Sequence, residues 1–323
     1  FYWESYSTWL TGFSLFTVSY LWNAGTYLID KSLMDWSQAS AIGVALGFLV
    51  VFWLIYDRIC QWFGFRKNGD AIVGAMLFVV ICFAAWLSCH WFAGRAAFLL
   101  TGAMIATAMS ANVFFWIIPG QRKVIAQMAA GEAVDPIHGK RAKQRSVHNT
   151  YFTLPVLFAM LSNHYSFTYS NPNNWLILIL MMLAGALIRQ YFVMMHGYRL
   201  GRNKNPMGYA VVGVLVILGV IIALKPDTSK NVASNADAAS RNASLGYKDV
   251  QKVLEARCYM CHGTAVQMKN VRLDSPESVK QHAQAMYQQV VVTRIMPMNN
   301  ATNITEDERA LIGAWFQAGA KTD

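Results

Sequence analysis

The chain has 323 residues, of which 55% are hydrophobic and only 14% are charged. Soluble domains carry about a quarter charged residues, so this composition excludes an ordinary soluble globular protein and indicates a lipid bilayer as partner. The formal net charge of +10 would also fit a nucleic-acid partner. However, much of the positive excess lies in short segments between apolar runs, where it orients membrane proteins. We therefore expect no nucleic-acid partner.

Apolar runs of about the length that crosses a bilayer recur through the first two thirds of the chain. The predicted spans are 6–29, 39–56, 71–92, 96–118, 150–165, 175–195 and 208–224. The fifth run is short and contains Pro155, so we expect a kinked or partly re-entrant segment there. The pattern predicts an all-α fold, with a polytopic transmembrane bundle of about seven spans over residues 1–224.

Basic residues alternate in number between the segments that connect these runs. Segments 57–70, 119–149 and 197–207 carry three, six and three Lys or Arg, and the intervening connections carry one, one and none. Because cytoplasmic loops are the ones enriched in Lys and Arg, the first set is predicted to face the cytoplasm. Everything after Leu224 then lies outside. The predicted location is a bacterial inner membrane with the C-terminal region on the periplasmic side.

The segment after the last run has a different composition. Residues 225–244 read KPDTSKNVASNADAASRNAS, which is polar, has no periodic apolar face and is typical of a flexible linker. Residues 245–323 are then a separate, small domain.

This last segment contains the pattern Cys258-Tyr-Met-Cys261-His262, which is typical of covalent haem c attachment. Two thiols one helical turn apart can each bond one vinyl group of a porphyrin, and the adjacent His is then held at the iron as its proximal ligand. A zinc site is the main alternative, but it would need a second pair of ligands. Only His282 is left in this segment to supply one.

The second axial ligand of such a haem is expected on the C-terminal side, where Met is usual in electron-transfer cytochromes. The stretch TRIMPMNN offers Met296 and Met298. Met296 is preferred because it is followed by Pro, and Met298 is the alternative.

Helix signals surround the haem motif. A helix is predicted to lead into it, and Ser275 with Pro276 marks the start of another. Thr305 and Glu308 form a capping box at the start of the last helix. A small unit with a helix at each end is predicted to be a class I-like cytochrome c domain.

Four histidines lie at the ends of predicted spans. His90 and His164 are placed at the outer level, and His148 and His196 at the inner level. One pair could ligate a membrane haem b or line a substrate pocket; the alternative is that these are interfacial histidines bound to their neighbours. Arg189 lies inside a predicted span, where an unpaired guanidinium is costly, so it should face a partner, an anion or water.

The longest cytoplasmic segment ends in a cluster of basic and His residues between His138 and His148. The cluster is either a positive-inside loop or an anion site.

Three stretches resemble the bacterial membrane-bound urate oxidases (urate hydroxylases), which join a multi-span domain to a C-terminal cytochrome c. They are FYWESYSTWLTGF at the start, GKRAKQRSVHNTYFTLPVLFAMLSNHY at 139–165, and CYMCH with TRIMPMNNAT. The resemblance covers essentially the whole chain. Members have eight spans, so the resemblance implies that this chain lacks a first span and the loop after it.

The resemblance implies oxidation of urate to 5-hydroxyisourate, with electrons passed to haem c and on to a respiratory acceptor such as a terminal oxidase or a soluble cytochrome. Urate is a monoanion near neutral pH, which suits a pocket lined by Arg or Lys. The candidate substrate region is Lys143, Arg145, His148 and Asn149.

Two other functions fit the sequence. One is a membrane-anchored cytochrome c that takes electrons from a quinol or a partner enzyme and has no substrate of its own. The other is a non-catalytic haem sensor or assembly subunit. Reduction of the isolated protein by a substrate would separate the enzyme from both.

Overall fold

The computed structural model describes residues 2–224 and 246–322, and every regular element within them is a helix. The chain divides into two compact units, one formed by Phe1–Ile29 and Leu33–Leu224 and the other by Asp30–Ser32 and Lys225–Asp323. The predicted linker, 225–244, lies outside the described residues.

The first unit is a bundle of long and short helices. They are α1 (Tyr2–Phe16), α2 (Ala24–Tyr27), α3 (Gln38–Phe63), α4 (Gly69–Trp91), α5 (Gly94–Asn112), α6 (Ile118–Ala129), α7 (Pro136–Leu161), α8 (Ser166–Tyr169), α9 (Asn174–Arg199) and α10 (Met207–Ala223). One π-helical turn, Thr17–Leu21, follows α1, and a second, Val113–Ile117, joins α5 to α6. A 3₁₀ turn, Ser162–His164, follows α7.

Four helical stretches in the described residues are long and apolar enough to cross a membrane. They are Gln38–Phe63, Gly69–Trp91, Gly94–Ala129 and Asn174–Arg199, with Met207–Ala223 as a shorter apolar helix. Half of the most apolar window of Gly94–Ala129 is buried by protein, against 22–28% in the other three. The α5 helix is therefore the central one, and the others present most of their apolar surface outwards, as lipid-facing helices do.

The structure corrects two details of the predicted elements. The run 6–29 is not one helix, because the chain leaves helical geometry at Asn23 before α2 begins. The segment 119–149 is not a loop, because α6 and the first half of α7 occupy most of it. The α7 helix starts at Pro136, with the Asp135 side chain accepting from the Ile137 N–H, and it continues through Pro155 to Leu161. The basic residues of this segment therefore lie on a regular helix.

Small residues allow close approach where α7 crosses its neighbours. A Cβ on Gly102 of α5 would lie 2.9 Å from the Cβ of Ala159, and one on Gly185 of α9 would lie 3.1 Å from the Cβ of Leu154. Helix pairs in membranes pack through such residues, since lipid offers no hydrophobic drive for association. These contacts clamp α7 between α5 and α9.

The second unit is a small helical domain. Its helices are α11 (Tyr247–Arg257), α12 (Tyr259–His262), α13 (Pro276–Met286) and α14 (Glu306–Gln317), with a π-helical turn at Tyr287–Val292 and 3₁₀ turns at Met268–Asn270 and Met298–Asn300. Val250, Leu254, Val279 and Ile312 are fully buried in its core.

The predicted helix starts of this unit are confirmed. Ser275 caps α13 with Pro276 in its first turn, and Thr305 and Glu308 form the capping box of α14. Glu308 also accepts hydrogen bonds of 3.0–3.1 Å from Arg257 of α11. Burial opposes ionisation of Glu308, yet its bonds to Arg257 and Thr305 outweigh burial and hold its pKa below the usual value. One carboxylate thus joins the first and last helices of the unit.

The Glu308→Ala substitution should destabilise α14 by about 1–2 kcal/mol, a factor of roughly 5–30 in the rate of amide hydrogen exchange. Exchange would be measured by mass spectrometry on peptides from Glu306–Gln317 in the full-length protein. Because the pKa of Glu308 is lowered on folding, the contribution is complete above about pH 4.5 and is lost as the pH falls through the lowered pKa.

The Glu306→Ala variant is the matched control. Glu306 lies on the same helix and pairs with Arg294, but both side chains are more than half exposed, and such pairs contribute only about 0–1 kcal/mol. Equal exchange in the two variants would contradict the role given to Glu308.

Candidate functional site

An ion pair is buried inside the first unit. Asp57 of α3 and Arg145 of α7 are 8% and 2% exposed, and Arg145 Nη2 donates to Asp57 Oδ1 at 2.7 Å. The Trp116 indole N–H donates to the same oxygen at 2.8 Å, and Gln61 donates to Oδ2 at 2.6 Å. The carboxylate therefore has donors on both oxygens, which is what a buried charge requires.

Aromatic rings complete the surroundings of Arg145. Its guanidinium carbon lies 4.9 Å from the ring centroid of Tyr56 and 5.1 Å from that of Trp116. Arg145 Nη1 is buried and has no hydrogen-bond partner among the described residues. Cation–π attraction from the two rings compensates in part for the missing acceptor.

The π-helical turn Val113–Ile117 lies beside this cluster. It contains Trp116, and Asn112 stands immediately before it as its N-cap. Such turns occur frequently at functional sites because they locally interrupt the helix hydrogen-bond ladder.

A chain of hydrogen bonds runs from the backbone of α5 to His148 of α7. Asn149 Nδ2 donates to the Met109 carbonyl at 3.0 Å, and Asn112 Nδ2 donates to Asn149 Oδ1 at 2.9 Å. Asn112 Nδ2 also donates to the Tyr56 hydroxyl at 2.8 Å, and this hydroxyl lies 3.0 Å from His148 Nδ1. Tyr56 and Asn112 are completely buried.

A cavity of about 780 Å³ lies among α4, α5, α7 and α9, next to this chain. Its walls are mostly apolar and include the aromatic rings of Phe65, Phe78 and Phe152. The polar groups of its wall are Asp70, Lys140, Lys143, Gln144, His148, Tyr151 and Gln190. Within this wall, the Tyr151 hydroxyl donates to Gln190 Oε1, which joins α7 to α9. An apolar cavity with a few convergent polar groups is the usual form of a small-molecule site.

The structure divides the predicted substrate region. Lys143 and His148 line the cavity. Arg145 does not, because it is buried against Asp57. Asn149 holds Asn112 and lines a second cavity of about 900 Å³, whose wall Lys143 also reaches. Helical periodicity explains the division, because residues 140, 143–144, 147–148 and 151 share one face of a helix.

Several groups of this site were not predicted from the sequence. Asp57, Tyr56 and Asn112 were not singled out, although Asp57 and Asn112 lie within or beside apolar runs, where an intramembrane polar residue is informative. Tyr56 gave no signal, because a tyrosine at the end of an apolar run is common at membrane interfaces.

The remaining predicted membrane residues lie apart from the cavity wall. His90 Nδ1 lies 2.7 Å from the Trp86 carbonyl oxygen, one turn earlier on the same helix, and the two rings are 4.4 Å apart. His164 ends the short 3₁₀ turn, and His196 lies in the last turn of α9; both are exposed at the protein surface. Within residues 2–224, no hydrogen bond or ring contact joins two of the four histidines. Arg189 donates from Nε to the Thr150 carbonyl at 3.1 Å, so its partner is the backbone of α7.

The haem motif of the second unit has a geometry that fits the group. Cys258 ends α11, and Cys261 and His262 lie on the single turn α12; both thiols are free. His262 Nδ1 lies 3.2 Å from the Val271 carbonyl oxygen. A carbonyl can only accept, so Nδ1 carries the proton and Nε2 is left for iron, which is how ligating histidines are commonly oriented.

The two candidate distal ligands differ in their surroundings. Met296 packs against the core of the unit, and its carbonyl accepts from Arg309 Nη1 at 2.8 Å. The same Nη1 donates to the Val290 carbonyl. Met298 begins a 3₁₀ turn. Arg309 is only 6% exposed. Its burial could not be predicted from the sequence, because an Arg on an amphipathic helix normally lies at the surface.

No group of three or more His, Cys, Asp or Glu side chains that could hold a metal ion occurs in residues 2–224 and 246–322. A tetrahedral zinc site therefore has no ligand set in the described part of the chain.

Fold and site together define an all-helical protein with helices long and apolar enough to cross a membrane and a mostly apolar cavity that several polar side chains line. The family model described as urate oxidase N-terminal matches residues 1–225. The chain belongs to this family, which confirms a relation to urate oxidases over residues 1–225 and indicates a urate-related oxidoreductase. No curated protein and no solved structure matches the chain.

The Asp57→Ala substitution should strongly destabilise the first unit, because it leaves the buried Arg145 cation without its carboxylate. Removing one partner of a buried pair costs about 3–5 kcal/mol, or a fall of roughly 6–20 °C in melting temperature. Thermal unfolding of the full-length protein in detergent would measure it. Asp35→Ala is the control, since Asp35 is exposed; a loss of equal size there would show that Asp57 is not specially placed.

Proposed function

We propose that the protein is a membrane-bound oxidoreductase that oxidises urate to 5-hydroxyisourate and passes the electrons to its own covalently bound haem c. The match of residues 1–225 to the urate oxidase N-terminal family carries this proposal. The cavity supports it, since aromatic and apolar walls suit a flat purine and the Lys143 ammonium suits its negative charge. Lys143 and His148 are the site residues favoured by the cavity. Arg145 and Asn149 lie outside its wall, where Arg145 packs over the Tyr56 ring and Asn149 bonds to Asn112.

The reaction balances without molecular oxygen. Urate and one water give 5-hydroxyisourate, two electrons and two protons. Because haem iron takes one electron at a time, each urate must reduce haem c twice or use a further redox centre. Cys258 and Cys261 would hold the haem as thioethers, with His262 as the proximal ligand and Met296, or alternatively Met298, as the distal one.

The charge alternation of the sequence gives the proposed topology: seven spans in a bacterial inner membrane, with the class I-like cytochrome c domain on the periplasmic side. The cavity is lined by Phe65, Asp70 and Lys143, which belong to the segments assigned to the cytoplasm. Electrons from a site at that end would have to cross a hydrocarbon core of about 30 Å. A membrane redox centre is then required, with a haem b at His90, His164 or His196 as the candidate. The final acceptor would be a terminal oxidase or a soluble cytochrome.

An anaerobic visible spectrum of the full-length protein, recorded before and after adding urate, tests the proposal. We expect the reduced haem c bands to grow with urate, at two haem equivalents per urate. A haem that dithionite reduces and urate does not would refute urate oxidation. It would leave the alternative of an electron-transfer protein, which reduction by a quinol would then support.

The Lys143→Met substitution should raise the KM for urate roughly 10- to 100-fold, because a hydrogen bond to a charged group contributes about 1.5–3 kcal/mol. The initial rate of haem reduction at a series of urate concentrations measures this. Lys204→Met is the matched control, since Lys204 lies in another basic segment outside the cavity wall. The same KM in both variants would place the anion elsewhere.

Replacing both Cys258 and Cys261 by Ser should abolish haem that survives denaturation, because no thioether can then form. Haem-dependent peroxidase staining after denaturing electrophoresis detects the covalent group. Cys82→Ser, in α4, is the control and should keep the stain. Retained stain in the double variant would contradict attachment at this motif.

A further inference from the structure

His148 stands between the cavity and the buried hydrogen-bond chain. Its ring lines the cavity, while its Nδ1 is 3.0 Å from the Tyr56 hydroxyl and 3.7 Å from Cys60 Sγ. In residues 2–224 no protein group is hydrogen-bonded to Nε2, and this atom is not among the buried polar atoms without a partner. The half-buried ring therefore offers Nε2 to whatever occupies the cavity.

One backbone carbonyl sets the donor-to-acceptor direction of every hydrogen bond between Met109 and Tyr56. The Met109 oxygen can only accept, so Asn149 must turn its Nδ2 towards it and its Oδ1 towards Asn112. Asn112 must in turn offer an N–H to that Oδ1, and the second hydrogen of the same Nδ2 goes to the Tyr56 oxygen. The amide orientations are thus fixed by geometry.

The phenolic proton of Tyr56 then has one strong acceptor. Tyr56 already receives a hydrogen from Asn112, and Arg145, which also contacts the hydroxyl, can only donate. The acceptors within reach are His148 Nδ1 at 3.0 Å and the Cys60 sulfur, which accepts only weakly. Tyr56 therefore donates to Nδ1, and the Cys60 thiol, a weak donor, lies on the same side. A neutral imidazole that accepts at Nδ1 carries its proton on Nε2.

The charged form of His148 does not fit these surroundings. An imidazolium would donate from Nδ1 to Tyr56 and leave the buried phenolic proton with only the weakly accepting Cys60 sulfur. The Arg145 guanidinium also lies over the Tyr56 ring, so a second cation beside it would be repelled. With the neutral tautomer that carries its hydrogen on Nε2, every buried donor and acceptor of the hydrogen-bond chain has a partner except Asn112 Oδ1.

We propose that Met109, Asn149, Asn112 and Tyr56 hold His148 as the neutral Nε2–H tautomer, so that it donates a hydrogen bond to a carbonyl oxygen or deprotonated nitrogen of the ligand in the cavity. This inference rests on the proposed function for the identity of that ligand, an oxidised-purine anion. Lys143 supplies charge and His148 supplies a directed donor. Tyr56, Asn112 and Asn149 are positioning residues that act through His148.

Nitrogen-15 NMR of the full-length protein labelled in histidine tests the tautomer without any substrate. The chain has seven His, and a His148→Gln variant assigns the resonance pair of His148. We expect an unprotonated Nδ1 and a protonated Nε2 at neutral pH. A protonated Nδ1, or two protonated nitrogens, overturns the proposal, and this measurement on the wild-type protein does not depend on any variant folding.

Two variants test how the tautomer is held. Asn112→Asp replaces the N–H that donates to Tyr56 by a carboxylate oxygen, which can only accept. The Tyr56 hydroxyl then donates to this carboxylate instead of to His148 Nδ1. The Tyr56 oxygen becomes an acceptor for Nδ1, so His148 shifts towards the Nδ1–H form. Tyr151→Phe is the control, since Tyr151 is one turn further along α7 and bonds to Gln190 instead; it should leave the tautomer unchanged. An unchanged His148 tautomer in Asn112→Asp would show that these hydrogen bonds do not set the tautomer.

The donor role is tested by adding urate to protein whose haem has been reduced with dithionite, which removes the electron acceptor and prevents turnover. The His148 Nε2 resonance should move, and it should move less in Asn112→Asp. Urate that reduces haem in the oxidised protein but leaves this resonance in place would refute the donor role and keep the proposed function. A correct tautomer without urate-dependent haem reduction would refute the proposed function alone.

Discussion

A charged side chain inside an apolar bundle must have its charge compensated, and in this protein the Asp57–Arg145 pair meets that constraint. The pair joins α3 to α7, and Trp116 bonds to the same carboxylate from the π-helical turn after α5. Three helices that are far apart in the chain therefore meet at one carboxylate. Buried pairs of this kind contribute modest net stability, but they strongly disfavour arrangements that separate the partners. The position of α7, and with it the cavity wall, depends on this pair.

The α7 helix serves two purposes because its two faces have different neighbours. One face carries Lys143 and Tyr151 into the cavity, and another carries Arg145 and Asn149 against the buried cluster. Only His148 takes part in both, since its ring lines the cavity while its Nδ1 reaches Tyr56. The small-residue contacts at Gly102 and Gly185 keep α7 close to its neighbours, so a change in the buried cluster can reach the cavity through a single imidazole.

Local patterns in the sequence predicted much of the fold. Apolar run lengths predicted the four helices of the described residues that are long and apolar enough to cross a membrane, out of seven expected spans. Capping residues predicted the starts of α13 and α14. Both signals depend on neighbours within a few positions. The bounds of two runs were predicted wrongly. The run 6–29 is interrupted at Asn23, and the helix that contains the run 150–165 begins already at Pro136. A basic segment reads as a loop in sequence, while its helical continuation depends on the Asp135 cap and on packing against α6.

The candidate site was predictable only in part, because its groups are distant in the sequence. Lys143 and His148 lie in the basic cluster that the sequence singled out, but Arg145 was assigned to the same surface although it is buried. Its partner, Asp57, is 88 residues away, and no spacing rule connects them. Arg309 in the second unit shows the same limit, since its acceptors are backbone carbonyls whose direction the sequence does not reveal.

The separation of α7 into two faces has a consequence for how such a protein can diverge. Substitutions at Lys140, Lys143 or Tyr151 alter the surface that meets a ligand and leave the buried pair intact. A substitution at Arg145 strands the charge of Asp57, so those two positions can change only together. Under the proposed function, single substitutions on the cavity face can therefore change which ligand binds, while the framework behind it changes slowly and in coupled pairs.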